Sequence, residues 1–250
     1  MRVVRGITLP GLVLGVALVA HAAPPVEPPK RGPDMVRPTV QLRNGESRGS
    51  GTVFASVPGT TLILTAAHVV KGATDLKVEI HRHNLGSQNL SLTEGGGWPR
   101  LVPARVVGTD PATDVAVVRL RGMVAMPNVA RFDRSAWEPE KDETLTSVGI
   151  DRTLHLTRWR TSVQGWATID IGQGGGERRF TVTTRPPEKG RSGGGLFRDD
   201  GTLVGVCTGR VTIGPGRPTV GVFASVAAIR QLLEKLGLDG PLATEPPPRR

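Results

Sequence analysis

Between Thr39 and Ser225, short apolar runs alternate with turn residues, a rhythm that predicts strands rather than helices. A first series comprises "GTVFAS" (51–56), "TLILTA" (61–66), "LKVEI" (76–80), "ARVVGT" (104–109) and "VAVVRL" (115–120). A looser stretch from Arg121 to Asp142, with Pro127 and Pro139, reads as a connection. A second series follows: "TLTSVGI" (144–150), "LHLTRWR" (154–160), "SVQGWATI" (162–169), "RFTVTT" (179–184), "TLVGVC" (202–207) and "TVGVFAS" (219–225). "GQGGGE" (172–177) reads as a hairpin tip. Two such batches predict an all-β chain of two antiparallel barrels or sandwiches. One helix is predicted, over 226–236. Ser225 caps it, and Val226, Ile229, Leu232, Leu233 and Leu236 recur at helical spacing before Gly237.

The flanks carry no such rhythm. Arg2 and Arg5 precede an apolar run from Ile7 to Ala20, and Ala20-His21-Ala22 has the small-x-small form of a signal peptidase site. Residues 1–22 therefore read as a signal peptide. Pro10 and the glycines argue against a retained membrane anchor, and no later segment is long and apolar enough to span. Residues 23–38, "APPVEPPKRGPDMVRP", form a Pro-rich linker, and 239–250 a disordered tail. This leaves 39–238 as the folded domain, with barrels near 39–122 and 143–225.

Composition sharpens this picture. In 250 residues, 38% hydrophobic and 22% charged content suits a soluble globular protein, and 33 Gly with 21 Pro suits a turn-rich β fold. Cys207 is the only cysteine, so no intramolecular disulfide can form; in "LVGVCTG" it reads as a core residue. An exported chain without disulfides fits a bacterial periplasmic or secreted protein. The net charge of +10 raises the question of nucleic acid. The basic residues are scattered, though, and with 4% aromatics and no Tyr stacking platforms are scarce, so no specific nucleic-acid partner is expected.

The candidate chemistry starts at "KGRSGGGLF" (189–197). Glycines beside Ser192 can make an ordinary turn. They can equally expose a nucleophilic hydroxyl beside backbone N–H groups. A nucleophile needs a base. His81 and His83 flank Arg82 in a polar stretch and supply too few ligands for a metal, while His155 alternates with leucines and is expected to face solvent. His68, in "LTAAHVV", follows a strand and two alanines, where a tight turn can present it. Asp114, just before "VAVVRL", is the better carboxylate partner, because Asp110 precedes Pro111 and suits a turn. No histidine follows Ser192, which excludes the α/β-hydrolase order of triad residues; His68, Asp114, Ser192 is the chymotrypsin order.

"GSGTVF", "LTAAHVV", "TDVAVVRL" and "GRSGGGLF", in this order, resemble the core motifs of trypsin-fold serine proteases, and "ARVVGTDPATDVAVVRL" is similar to the bacterial high-temperature-requirement (Htr) branch. The similarity runs from Val40 to Leu236. It implies two six-stranded β-barrels with a C-terminal helix and an active site in the cleft between them. It further implies a serine endopeptidase acting on protein or peptide, with Ser192 as nucleophile, His68 as general base and Asp114 as orienting carboxylate. Gly190 and Ser192 would supply the oxyanion-hole amides, and no metal or cofactor is called for. Thr208 is expected to help fix Asp114. Pro186, Thr208, Gly209, Arg210 and Gly221 are expected to line the substrate cleft, and Pro186 at the pocket floor argues against cleavage after Lys or Arg. Two positions depart from the pattern. Gly195 stands where Pro is common, which is expected to loosen the loop. Arg191 replaces the acidic residue of trypsin-type zymogens, so that activation switch is expected to be absent. These departures motivate an alternative, an inactive two-barrel scaffold that binds peptide or envelope components. The chain ends soon after its helix, so a bare protease domain without a PDZ domain is expected.

Overall fold

The computed structural model describes residues 34–86, 97–121, 125–132, 137–152, 155–171, 177–212 and 214–240. The predicted signal peptide, most of the linker, the core of the "GQGGGE" tip and the tail from residue 241 lie outside them.

The first series of runs closes into a barrel. Strands β1 (Thr39–Asn44), β2 (Ser47–Val57), β3 (Thr60–Thr65), β4 (Leu76–Ile80), β5 (Arg100–Asp110) and β6 (Val115–Leu120) pair in the order β1-β2-β3-β6-β5-β4, and β4 returns to β1. Between β3 and β4 lies a one-turn helix, α1 (Ala67–Val70); a second turn, α2 (Arg82–Leu85), follows β4. Strand alternation explains the unbroken apolar runs. Ile63, Ala116, Val118 and Leu120 point into the barrel with Val40, Leu42, Val78 and Ile80. Their neighbours Leu62, Leu64, Val115 and Val117 point outward into a second core. Both faces of β3 and β6 are therefore buried, and neither strand shows polar alternation.

A two-residue strand, β7 (Arg131–Phe132), lies in the connection. The second ring consists of β8 (Thr144–Asp151), β9 (His155–Ile169), β10 (Arg178–Thr183), β11 (Gly195–Phe197), β12 (Thr202–Thr212) and β13 (Thr219–Ser225). Its order is β11-β8-β9-β10-β13-β12, and β11 pairs with β12 to close it; β7 joins β12 in parallel. Two apolar runs expected as separate strands form the single strand β9, which carries Gly165 at φ 132. Helix α3 (Val226–Lys235) ends the fold, with the Ser225 hydroxyl accepting from the Ala228 N–H at 3.3 Å. Its Ile229, Leu232 and Leu233 join Leu62, Leu64, Val115 and Val117 in the core shared by the two rings.

Order begins earlier than expected. Asp34 accepts from the Val36 and Arg37 amides, and Met35 and Val36, assigned to the linker, pack against the shared core. Gly195 is another correction. It is buried in β11 with partners on both sides, Val148 and Val206. The Phe197 ring and Leu203 occupy the space that a side chain at 195 would need, so glycine here makes room for packing and does not loosen the loop.

Candidate active site

The register of β3 against β6 brings the first two candidates together. Thr65 faces Ala116, so the chain leaving β3 runs beside the chain entering β6. His68 sits on α1 just past that strand end, and Asp114 just before β6. Asp114 is fully buried and binds the α1 turn by main chain and side chain alike. Its carbonyl accepts from Ala67 N–H at 3.1 Å, and its Oδ1 from His68 N–H at 2.9 Å. The His68 ring nitrogen Nδ1 lies 2.8 Å from Oδ2 and 3.0 Å from Oδ1. Asp114 holds φ at +56°, a left-handed conformation that costs most residues about 1–2 kcal/mol and that Asp adopts more readily. With Nδ1–H on the carboxylate, the ring's Nε2 is left as the proton acceptor.

Ser192 stands in the turn between β10 and β11, where almost every carbonyl is engaged. Glu188 O accepts from Arg191 N–H at 3.2 Å, Lys189 O from Arg152 N–H at 2.6 Å, and Arg191 O from Gly194 N–H at 2.8 Å. Ser192 O accepts from Ser50 N–H at 2.7 Å, and Gly190 O from the Ser50 hydroxyl at 2.9 Å. Gly193 N–H donates to Cys207 O, and Cys207 N–H to Gly194 O. After this accounting the amides of Gly190 and Ser192 have no acceptor among the described residues. Gly190 and Gly193 hold φ at +96° and +86°. A Cβ at 193 would collide with the Ser50 carbonyl and the Thr65 hydroxyl, which is why glycine stands there.

The Ser192 hydroxyl donates to the Thr208 carbonyl at 3.3 Å, and no hydrogen bond joins it to His68 among the described residues. His68 nevertheless borders the same cavity as Ser192, a space of about 670 Å³ that Arg48, Arg152, Lys189 and Gly190 also line. His68 also borders a second cavity of about 370 Å³ with Asp114, Ile169, Thr208, Gly209, Arg210 and Val222. Thr208, Gly209 and Arg210 thus line one cavity together with His68 and Asp114. Pro186 is half-buried and borders neither cavity, and Gly221 is buried against the Thr183 hydroxyl and the Arg185 carbonyl. Thr208 also departs from expectation, since its buried hydroxyl has no partner among the described residues and its carbonyl makes the contact to Ser192.

The remaining candidates separate cleanly. Cys207 is buried in the core of the second ring, and desolvation pushes its thiol up to about 12. His155 is exposed at the start of β9. His81 and His83 stack at 5.4 Å, with His81 Nε2 3.3 Å from Glu79, and no metal-binding cluster occurs among the described residues. Burial lowers the His83 pKa, while its bond to the Thr39 carbonyl opposes the shift.

Residues that sequence alone did not single out hold the turn in place. Ser50, inside the quoted "GSGTVF", links β2 to both Gly190 and Ser192 and accepts from Ile150 N–H at 2.8 Å. Arg191, flagged for its charge, is fully buried. Its Nε and Nη2 donate to Asp151 Oδ1 and Oδ2 at 2.8 and 2.7 Å, and Nη1 donates to Ser147 at 3.1 Å. Nη2 also reaches Thr157, and the guanidinium lies 4.5 Å from the Trp159 ring centre.

Comparison with known proteins agrees with this architecture. Residues 49–206, more than half of the chain, match the family model described as a trypsin-like peptidase domain. The serine protease Do-like HtrA of Bacillus subtilis is 32% identical over 165 residues, covering 63% of this chain and 32% of that protein. The serine endoprotease DegS of Haemophilus influenzae is 24% identical over 161 residues, covering 64% and 41%. The chain thus spans between about a third and two fifths of the length of these relatives. Among solved structures, the active form of the Rv3671c protease of M. tuberculosis superposes with a TM-score of 0.59 at 20% identity, covering 84% of this chain and 85% of that one. The serine endoprotease of Yersinia pestis gives 0.59 at 24%, covering 83% and 65%. At these identities the structures speak for the fold.

Proposed function

The chain belongs to the trypsin-like peptidase family, and from that premise we propose that it is a serine endopeptidase acting through an acyl-enzyme. The observation that carries the reading is the pairing of His68 with buried Asp114 on the rim of the cavity that also holds Ser192 and the unpaired amides of Gly190 and Ser192.

The steps follow from those positions. The Ser192 hydroxyl leaves the Thr208 carbonyl by rotation about χ1 and meets His68 Nε2. As Oγ attacks the scissile carbonyl, Nε2 takes its proton, and Asp114 stabilises the imidazolium without itself being protonated. The carbonyl oxygen, now negative, takes the Gly190 and Ser192 amides as donors; one such donor is worth about 3 kcal/mol in the transition state. The proton on Nε2 passes to the departing amine, and water reverses the sequence to free the acid.

An extended peptide fits beside β12. From Thr208 onward that strand has a ladder partner, among the described residues, only in β13, so its other edge can take a substrate strand beside the cavity lined by Thr208, Gly209 and Arg210. Export completes the proposal. Residues 1–22 would be removed and the enzyme would work in a bacterial periplasm or outside the cell. Digestion of casein by the purified protein tests the activity. Cleavage that disappears in Ser192→Ala and in His68→Ala is the expected result; cleavage that persists in either overturns it.

A further inference from the structure

Arg191 lies between the two residues whose amides are unpaired, yet its side chain points away from the cleft into the second ring. Every guanidinium contact it makes is to β8 or β9: Ser147, Asp151, Thr157 and the face of Trp159. Asp151 Oδ2 also accepts from the Thr157 hydroxyl at 2.5 Å, so the carboxylate is held from two sides. The neighbouring residue, Arg152, donates its N–H to the Lys189 carbonyl at 2.6 Å. In a planar trans peptide the carbonyl and the following N–H point in opposite directions. Fixing the Lys189 carbonyl on Arg152 therefore directs the Gly190 N–H away from the β8–β9 turn. Consecutive residues of one turn thus grip the Ser192 loop twice, by a side chain at Arg191 and by a main-chain amide at Lys189.

We propose that Asp151 and Arg191 form a buried positioning pair that keeps the Gly190 and Ser192 amides aligned for the reaction. This inference rests on the reading of Ser192 as the nucleophile. A charge with no partner does not stay in an apolar interior. Without the Asp151 charge, Arg191 turns out toward water and draws Gly190 and Ser192 with it. Burial pushes the Asp151 carboxyl up, but the hydrogen bonds from Arg191 and Thr157 and the Arg191 charge outweigh it and hold the group below its ordinary value.

The test compares Asp151→Asn, Asp151→Glu and the apolar double variant Asp151→Leu with Arg191→Met, in the full chain. Fluorophosphonate labelling, peptide kcat and KM, and thermal melting are measured on each. A buried ion pair can be exchanged for apolar residues with little loss of stability, so the double variant supplies a folded protein without the pair. The pair predicts that it melts near the wild type while kcat drops about a hundredfold, the size of one lost oxyanion donor, with KM changed by less than about threefold. It also predicts that Asp151→Glu recovers most of the kcat lost in Asp151→Asn. A folded double variant with wild-type kcat, or equal kcat in Asp151→Asn and Asp151→Glu, overturns the pair and leaves the enzyme assignment standing. A wild type that never labels overturns the enzyme assignment itself.

Discussion

The hydroxyl of Ser192 rests on the carbonyl oxygen of Thr208, 3.3 Å away, while the imidazole of His68 is already held by Asp114. The Asp114–His68 half of the proposed proton path is in place, and the Ser192 hydroxyl would have to leave Thr208 to join it. A nucleophile that does not yet touch its base is compatible with catalysis, since catalytic hydrogen bonds tighten when substrate enters. The backbone around Ser192 is already fixed by its bonds to Ser50, Arg152 and Cys207.

Asp114→Asn separates the carboxylate's electrostatic role from its structural one. Asn tolerates the left-handed backbone and can still accept from the His68 N–H. The variant is expected to melt within a few degrees of the parent. Peptide hydrolysis is expected to drop by about 10⁴, because the amide holds the wrong imidazole tautomer. Thermal melts and kcat on one preparation check both halves.

Ser50→Ala tests the bridge from the first barrel to the Ser192 loop. It strands the Gly190 carbonyl and the Ile150 amide, both buried. Each unsatisfied group costs about 1–3 kcal/mol, so stability is expected to drop by roughly 2–6 kcal/mol in urea unfolding, with an unchanged denaturant slope. Hydrolysis is expected to weaken as well, since Gly190 loses its anchor.

Acid stability reports on Asp151. Its folded pKa lies below the unfolded value of about 3.9. The unfolded chain therefore binds the proton first, and stability from this group is present above about pH 4 and lost as pH descends through the folded value. Unfolding free energies measured from pH 7 to pH 2.5 are expected to show this loss in the wild type and a shallower decline in Asp151→Asn. Parallel curves would contradict it.

The elements that position the site were legible where local pattern decided them. β3, β6 and α3 follow from apolar runs and a helical stripe, and His68 and Asp114 follow from strand ends that the β3–β6 register then joins. Local pattern does not announce β1 or β11. "TVQLRN" mixes polar residues into its run, and "GLF" is three residues long, so neighbours rather than propensity make them strands. The supports of the Ser192 loop were equally hidden. Ser50 meets Gly190 across 140 residues and Asp151 meets Arg191 across 40, and no local spacing announces either pairing. Thr208 shows the reverse error, where a hydroxyl expected on Asp114 stays unpaired and the backbone carbonyl does the binding.

The most direct test is to treat the folded protein with a fluorophosphonate probe and locate the adduct by peptide mass spectrometry. The account predicts one adduct, on Ser192, absent from Ser192→Ala and strongly slowed in Asp114→Asn. An adduct on another residue, or none on a folded wild type, would contradict it.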